Sequence, residues 1–304
     1  MNDQDARNGI RSGARSGEDA SHGGIRGRLF VWLQYLLPQH GVSRLILAAT
    51  RVRTRWFKNA TIRAFLKLFH VDMTEAAESD PYRYGSFNEF FTRALKEGAR
   101  PIANDAHAIA SPVDGCVSEA GAIQQDRLLQ AKGRHYRLTE LLAAQSWASR
   151  FEGGSFATIY LAPFNYHRIH MPLRGVLLET VYVPGRLFSV NAATAQLVPR
   201  LFARNERVLT LFDSDAGQFA LVLVGALNVG SMATVWAGDI TPAARRVVTR
   251  VPGPPTTLEK GAELGRFNMG STVILLFQPN RARWHPQVHA GSVVRLGQSL
   301  GIIA

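Results

Sequence analysis

In Gly265-Arg266-Phe267-Asn268-Met269-Gly270-Ser271-Thr272-Val273-Ile274-Leu275-Leu276-Phe277 a small-residue turn, Gly270-Ser271-Thr272, runs straight into the apolar run Val273 to Phe277. The run opens β-branched and is short enough for a buried strand. The turn therefore places a serine hydroxyl at the mouth of a rigid element. Gly270 has no Cβ, so its carbonyl carbon is open to close approach and its backbone to strained dihedrals. Ser271 Oγ is the nearest nucleophile to that carbonyl. Read by itself, the stretch is a strand entered through a Gly-Ser turn.

A chain of 304 residues is long enough for one large domain or two small ones. Its apolar fraction of 46% is ordinary for a globular protein. The net charge of +12 is not, and it points to an anionic partner, nucleic acid or a lipid surface. The single cysteine, Cys116, excludes an intramolecular disulfide and a Cys-rich metal site. Its β-like setting reads as a small buried hydrophobe rather than a nucleophile.

Residues 1–28 hold six Gly, five Arg and four acidic residues with almost no large apolar side chains, so they read as disordered. They lack the apolar core of a secretory signal, and their acidic residues argue against a transit peptide. Between Ala20 and Val71 there are nine Lys or Arg and no Asp or Glu. Trp32, Trp56, Phe57 and Phe65 are among the apolar residues interleaved with them. Ile62, Phe65, Leu66 and Phe69 share one helical face. Pro38 and Gly41 break the stretch, and Ser43 is placed to cap the next helix. No apolar run approaches the roughly 18 residues of a spanning helix. Residues 29–70 thus read as basic amphipathic helices on a membrane surface, or as core-packed helices with a solvated basic face. No nucleic-acid recognition motif is present, and no nucleic-acid partner is expected.

Ser86-Phe87-Asn88-Glu89 has the pattern of a capping box. From Pro101 onward the texture becomes β. Ala157 to Leu161, Val176 to Val183 and Phe219 to Val224 read as strands, with helical inserts at Leu138 to Gln145 and Thr194 to Arg204. Gly291 to Gly301 reads as two short strands and a turn, a pattern reminiscent of carrier-domain barrels. The expected fold class is α+β: N-terminal helices at a membrane surface, then a β-rich, barrel-sandwich-like catalytic domain over 71–304 with helical inserts.

Asp114, His170 and Ser271 form an Asp–His–Ser set in chain order. A carboxylate can hold one imidazole tautomer so that the other nitrogen takes a hydroxyl proton. His167 and His170 also have i, i+3 metal-ligand spacing, but no third ligand recurs nearby, and no metal is expected. The nucleophile elbow G-x-S-x-G is absent, because Met269 and Val273 occupy its glycine positions.

Met269-Gly270-Ser271-Thr272 resembles the Leu-Gly-Ser-Thr processing site of phosphatidylserine decarboxylase proenzymes of the bacterial, pyruvoyl-dependent type. Met for Leu conserves volume. Ser111-Pro112-Val113-Asp114-Gly115 is similar to that family's aspartate motif, and Tyr166-His167-Arg168-Ile169-His170-Met171-Pro172 to its histidine motif. Val183 to Asn191, Leu201 to Arg207 and Val235-Trp236-Ala237-Gly238 match as well. In order and spacing these cover most of the chain from about Leu29 onward.

The resemblance implies self-processing. His170, oriented by Asp114, would take the Ser271 proton, and Oγ would attack the Gly270 carbonyl. β-Elimination and hydrolysis would leave a long chain, 1–270, and a short chain, 271–304, capped by a pyruvoyl group made from Ser271. That covalent group, with no pyridoxal phosphate and no metal, would form a Schiff base with phosphatidylserine and release CO2 to give phosphatidylethanolamine. His167 would be the general acid. The resemblance further implies a heterodimer of the two cleavage products, open to further assembly, held peripherally on the cytoplasmic face of the bacterial inner membrane by its anionic lipid. Two other classes fit the residues: a serine hydrolase that uses the same trio without cleavage, and a membrane-binding scaffold without chemistry.

Overall fold

The computed structural model describes residues 25–131, 133–227, 231–240, 247–250, 256–269 and 271–304. The expected disordered segment 1–28 lies almost wholly outside the described residues, as does Gly270.

Three helices lead the chain: α1 (Ile25–Leu36), α2 (Gln39–Thr50) and α3 (Arg55–Leu68). Pro38, not Ser43, stands at the N-cap of α2. Proline has no N–H to lose at a helix start, so the helix begins one turn before the sequence reading places it. Ser43 lies inside α2, buried, with Oγ unpartnered. A fourth, short helix, α4 (Phe87–Phe91), begins as expected: Ser86 Oγ accepts from the Glu89 N–H at 3.2 Å. The reciprocal bond reaches one residue further back, from the Gly85 N–H to Glu89 Oε2.

The β-rich remainder is built on a nine-stranded sheet. Along its main path the strands run Val247–Arg250, Gly175–Val183, Arg207–Asp213, Phe219–Val224, Ser271–Phe277, Ser155–Leu161, Gly115–Ala122 and Val293–Val294, and Thr257–Leu258 pairs beside Gly175–Val183. Every pairing is antiparallel. The sheets among the described residues are open paths that stack in layers, and none of them closes into a barrel.

Layering explains why Val273 to Phe277 is apolar without alternation. Successive strand side chains point to opposite faces, so an unbroken apolar run needs both faces covered. Ile274 and Leu276 enter one core with Phe156, Leu209 and Val222, roofed by Leu138, Leu141, Trp147 and Phe202 of the helical inserts. Val273, Leu275 and Phe277 enter the opposite core with Ile159, Val208 and Leu223. There they meet Ile169, Met232, Leu264 and Phe267, which belong to a four-stranded sheet ordered Gly238–Ile240, Met232–Thr234, Glu263–Phe267, Arg168–His170.

The N-terminal helices dock through polar side chains onto an irregular stretch. Gln39 Oε1 accepts from the Leu187 N–H and Gln34 Oε1 from the Ser189 N–H, while His40 Nε2 lies 3.0 Å from the Gly185 carbonyl. Buried backbone groups outside a sheet need such partners, which gives Val183 to Asn191 a structural reason for its sequence. On α3 the apolar face turns inward: Ile62 is fully buried, and Phe65 and Leu66 pack against Phe87, Phe90 and Phe91 of α4. Phe65 is therefore partly buried, with its ring packed against the phenylalanine cluster and not turned wholly outward. Trp32, Leu36, Leu45 and Trp56 are the opposite case, exposed by 58%, 63%, 72% and 74%. No helix among the described residues is long and apolar enough to cross a membrane.

Candidate active site

Ser271 is the first residue of Ser271–Phe277, opposite Leu161 at the end of its neighbour. The chain beyond Leu161 turns through Ala162 to Tyr166 and returns as Arg168–His170, paired with Glu263–Phe267. The Phe267 N–H donates to the His167 carbonyl at 3.0 Å. Topology thus brings the histidine motif beside the chain entering Ser271.

Asp114 ends an irregular turn. Ser111 Oγ donates to the Val113 carbonyl at 2.7 Å, and Gly115 then opens the strand Gly115–Ala122. A Cβ on Gly115 would sit 2.4 Å from the Tyr160 carbonyl oxygen, so only glycine allows the strand to start there. The Asp114 carboxylate is buried and fully engaged. Arg100 Nε donates to Oδ1 at 3.0 Å, Arg100 Nη2 to Oδ2 at 2.8 Å, and the Leu296 N–H to Oδ1 at 2.8 Å. Arg100 Nη2 also reaches Glu75 at 2.7 Å.

His170 Nδ1 lies 2.8 Å from the Gly261 carbonyl, and Nε2 lies 3.2 Å from the Tyr166 hydroxyl. A carbonyl oxygen only accepts, so Nδ1 carries the proton and Nε2 offers its lone pair. Burial pushes the Tyr166 phenol up to about 12, so its O–H stays available to donate. Burial also lowers His170, partly opposed by its bond to Gly261. The expected side-chain contact between Asp114 and His170 is thus replaced. A carbonyl fixes the tautomer, and an arginine holds the carboxylate. The link that remains is backbone, His170 N–H to the Pro112 carbonyl at 2.9 Å, plus the Asp114 charge, which favours imidazolium at both histidines.

His167 is fully buried. Nδ1 lies 2.8 Å from the Asn165 carbonyl, and the ring centroid is 4.1 Å from that of Phe91. By the same logic Nε2 carries a bare lone pair, and no donor reaches it among the described residues. Burial, aided by the nearby Arg93 charge, pushes its pKa down to about 3, so the ring is neutral across the physiological range.

The chain ahead of the Gly270–Ser271 bond is clamped. Asn88 Nδ2 of α4 donates to the Asn268 carbonyl at 3.1 Å. Asn268 Nδ2 donates to Ser231 Oγ and, at 3.2 Å, to Asp239 Oδ1, whose other oxygen accepts from Arg51 at the end of α2. Met269 packs against two cores. Sequence reasoning missed Arg100, Tyr166, Asn88 and Asn268 as site residues. Tyr166 was within reach, being four residues before His170 in the quoted motif, whereas the others act across long sequence separations. Cys116 is half-buried on the strand after Asp114, less covered than its sequence setting suggests.

A family profile described as phosphatidylserine decarboxylase matches residues 87–302, and a second, described as PSD, matches residues 29–70. The chain is 53% identical over 283 residues to the phosphatidylserine decarboxylase proenzyme of Pseudomonas fluorescens Pf-5, covering 91% of this chain and 98% of that one. It is 52% identical over 277 residues to the proenzyme of Methylococcus capsulatus, covering 90% and 96%. To that of Pseudomonas entomophila it is 53% identical over 285 residues, covering 92% and 99%.

Proposed function

Because the chain belongs to the phosphatidylserine decarboxylase family, we propose that it is a proenzyme that cuts itself between Gly270 and Ser271 and then decarboxylates phosphatidylserine to phosphatidylethanolamine. The observation that carries this reading is the buried His167, with a bare Nε2, beside the chain that leads into Ser271. A buried, unpartnered imidazole nitrogen suits a group that must exchange a proton with a bound reactant. A pyruvoyl group derived from Ser271 fits such a site, and it supplies a ketone that captures the substrate amine and takes up the electrons left when CO2 departs.

In maturation, the Ser271 hydroxyl proton passes to His170 Nε2, which carries the lone pair because Nδ1–H is tied to Gly261, and which must exchange the Tyr166 hydroxyl for that of Ser271. Asp114 contributes negative charge that steadies the imidazolium, acting through the field of the pocket and not by direct contact. In turnover, the substrate ammonium must lose a proton before its nitrogen can attack. His167 Nε2, neutral at rest and disfavoured as imidazolium, relays that proton only transiently and delivers it to the carbon that has lost CO2, which is its general-acid role. Phe91 and the surrounding core exclude water from this exchange.

The exposed Trp32, Leu36, Leu45 and Trp56, with the acid-free basic charge of 29–70, support peripheral attachment to anionic lipid, which we place on the cytoplasmic face of a bacterial inner membrane. The working unit is the heterodimer of fragments 1–270 and 271–304. The test is a denaturing gel with intact-mass measurement, joined to CO2 release from carboxyl-labelled phosphatidylserine. Wild-type protein should release a fragment of 304 − 270 = 34 residues and evolve CO2. An uncut but hydrolytic protein would favour a serine hydrolase.

A further inference from the structure

Arg93 follows α4 by two residues and is only 4% exposed. Its contacts are thin for a buried cation. Nη2 donates to the Phe164 carbonyl at 3.4 Å, and the guanidinium lies 5.8 Å from the Phe90 ring centroid. Nε has no partner, and among the described residues no carboxylate comes within ion-pair distance. Buried charges are ordinarily paired, because desolvation otherwise costs several kcal/mol. Arg207, likewise buried without a carboxylate, is held by several carbonyl oxygens, whereas Arg93 has one long bond, and it lines a cavity of about 280 Å³.

The same cavity is lined by Arg168 and Arg266. These two share one carboxylate: Arg168 Nη1 is 2.9 Å from Glu263 Oε2, and Arg266 Nη2 is 2.8 Å from Oε1. The other acidic lining residues are committed elsewhere. Glu89 accepts from Arg53 and from the Gly85 N–H, while Glu78 accepts from the Asp80 N–H and lies beside Arg83. The cavity wall therefore carries a cation surplus. Glu89, Thr92 and Arg266 also border an adjoining cavity of about 520 Å³ that reaches Asn268 and Arg51. The two cavities share these walls, and between them they border the end of α2, the chain ahead of Ser271, and Arg93.

We propose that Arg93 binds the phosphodiester of the lipid substrate, with Arg168 and Arg266 completing the anion-binding wall. This rests on the decarboxylase reading above. Of the two anions a phosphatidylserine headgroup offers, the carboxylate is consumed. A salt bridge to it would stabilise the ground state and oppose loss of CO2. The phosphodiester keeps its charge from substrate to product, so a planar guanidinium fork can hold it throughout without resisting the chemistry. That anion would also give the Arg93 Nε–H the acceptor it lacks among the described residues.

The test uses full-length Ser271→Ala protein, which cannot form the pyruvoyl group, and calorimetric titration with dihexanoyl phosphatidylethanolamine. This probe has the phosphodiester and no carboxylate. Arg93→Gln in that background is expected to weaken its binding about 10–100-fold, with Arg93→Lys falling between. Free serine should show no dependence on Arg93. In the otherwise wild-type enzyme, Arg93→Gln should raise KM with kcat within a few-fold, and the 34-residue fragment should still appear. Unchanged affinity for the lipid probe overturns the proposal. So does inorganic phosphate binding as tightly with the same Arg93 dependence, which would mark a free-phosphate site. A melting temperature that falls in both variants, with affinity per folded molecule unchanged, would make Arg93 structural and overturn it too. If wild-type protein neither cuts itself nor evolves CO2, the decarboxylase reading fails, while the Ser271→Ala titrations still report on Arg93.

Discussion

Asn88 reaches across 180 positions of sequence to hold the Asn268 carbonyl, two residues ahead of Gly270. The contact ties a helix start to the segment that, in the proposed self-cleavage, would present its carbonyl to a hydroxyl. Asn88→Ala should leave the fold intact and slow release of the 34-residue fragment about fivefold to tenfold, the worth of one ordinary hydrogen bond. A time course of cleavage after synthesis measures it. Cleavage at the wild-type rate would show that Asn268 is positioned well enough by Ser231 and Asp239.

Ser271→Ala should leave the chain whole and inactive, because in the proposed reaction the hydroxyl serves both as nucleophile and as source of the pyruvoyl group. Asp114→Asn and His170→Ala should also block cleavage. His167→Ala should differ, cutting normally and losing decarboxylation. Mass spectra and CO2 release, taken on the same preparations, separate the two phenotypes. An uncut but folded His167→Ala protein would extend that residue's role into maturation.

Arg100 and Asp114 form a buried pair, and removing one partner strands the other charge. Arg100→Met should cost about 3 kcal/mol or more of stability, read from urea denaturation of Ser271→Ala protein. Its cleavage defect in the active background should resemble that of Asp114→Asn.

Glu206 is 2% exposed, and burial pushes its pKa up to about 7, against a hydrogen bond from Tyr182 that lowers it. The folded state therefore favours the protonated carboxyl. As pH rises from the unfolded-state value of 4.5 through 7, the folded state loses stability relative to the unfolded one. The ceiling is about 3 kcal/mol above pH 7. Glu206→Gln should accordingly stabilise the protein at pH 8 and have little effect near pH 4. Equal melting shifts at both pH values would contradict this.

Trp32→Glu and Trp56→Glu should weaken binding to anionic vesicles while leaving self-cleavage unaffected, because both side chains are mainly exposed. Each tryptophan is worth about 1.5–3 kcal/mol if it inserts fully. High salt should release the protein only in part, since screening acts on the arginines and not on apolar contact. Phe65→Glu should instead unfold the α3–α4 contact, which is the signature of a packed position.

Local chemistry made much of this molecule readable before its coordinates. The strands Ala157 to Leu161 and Phe219 to Val224, the Ser86 cap, and the turn at Gly297, whose φ of +82° calls for glycine, each depend on neighbours in sequence. The Asp114–His170 contact was misjudged because motif order carries no information about Arg100, which reaches the carboxylate from a loop 14 residues upstream. Composition could not separate Trp56 from Phe65 on α3 either. One faces solvent and the other three phenylalanines, a difference that only tertiary packing decides.

Ser271–Phe277 lies in the interior of the nine-stranded sheet, between Phe219–Val224 and Ser155–Leu161. A reactive group made at the head of such a strand cannot be exchanged for a fresh one, unlike a cofactor that dissociates. Release of the fragment would mean pulling apart two hydrogen-bonded ladders and both cores. Each molecule would thus be charged once. Any event that reduces or traps the carbonyl would end that molecule's working life, and the cell would recover activity only by making new protein. Catalytic capacity would then track synthesis rate and accumulated damage, with no cofactor pool to replenish it.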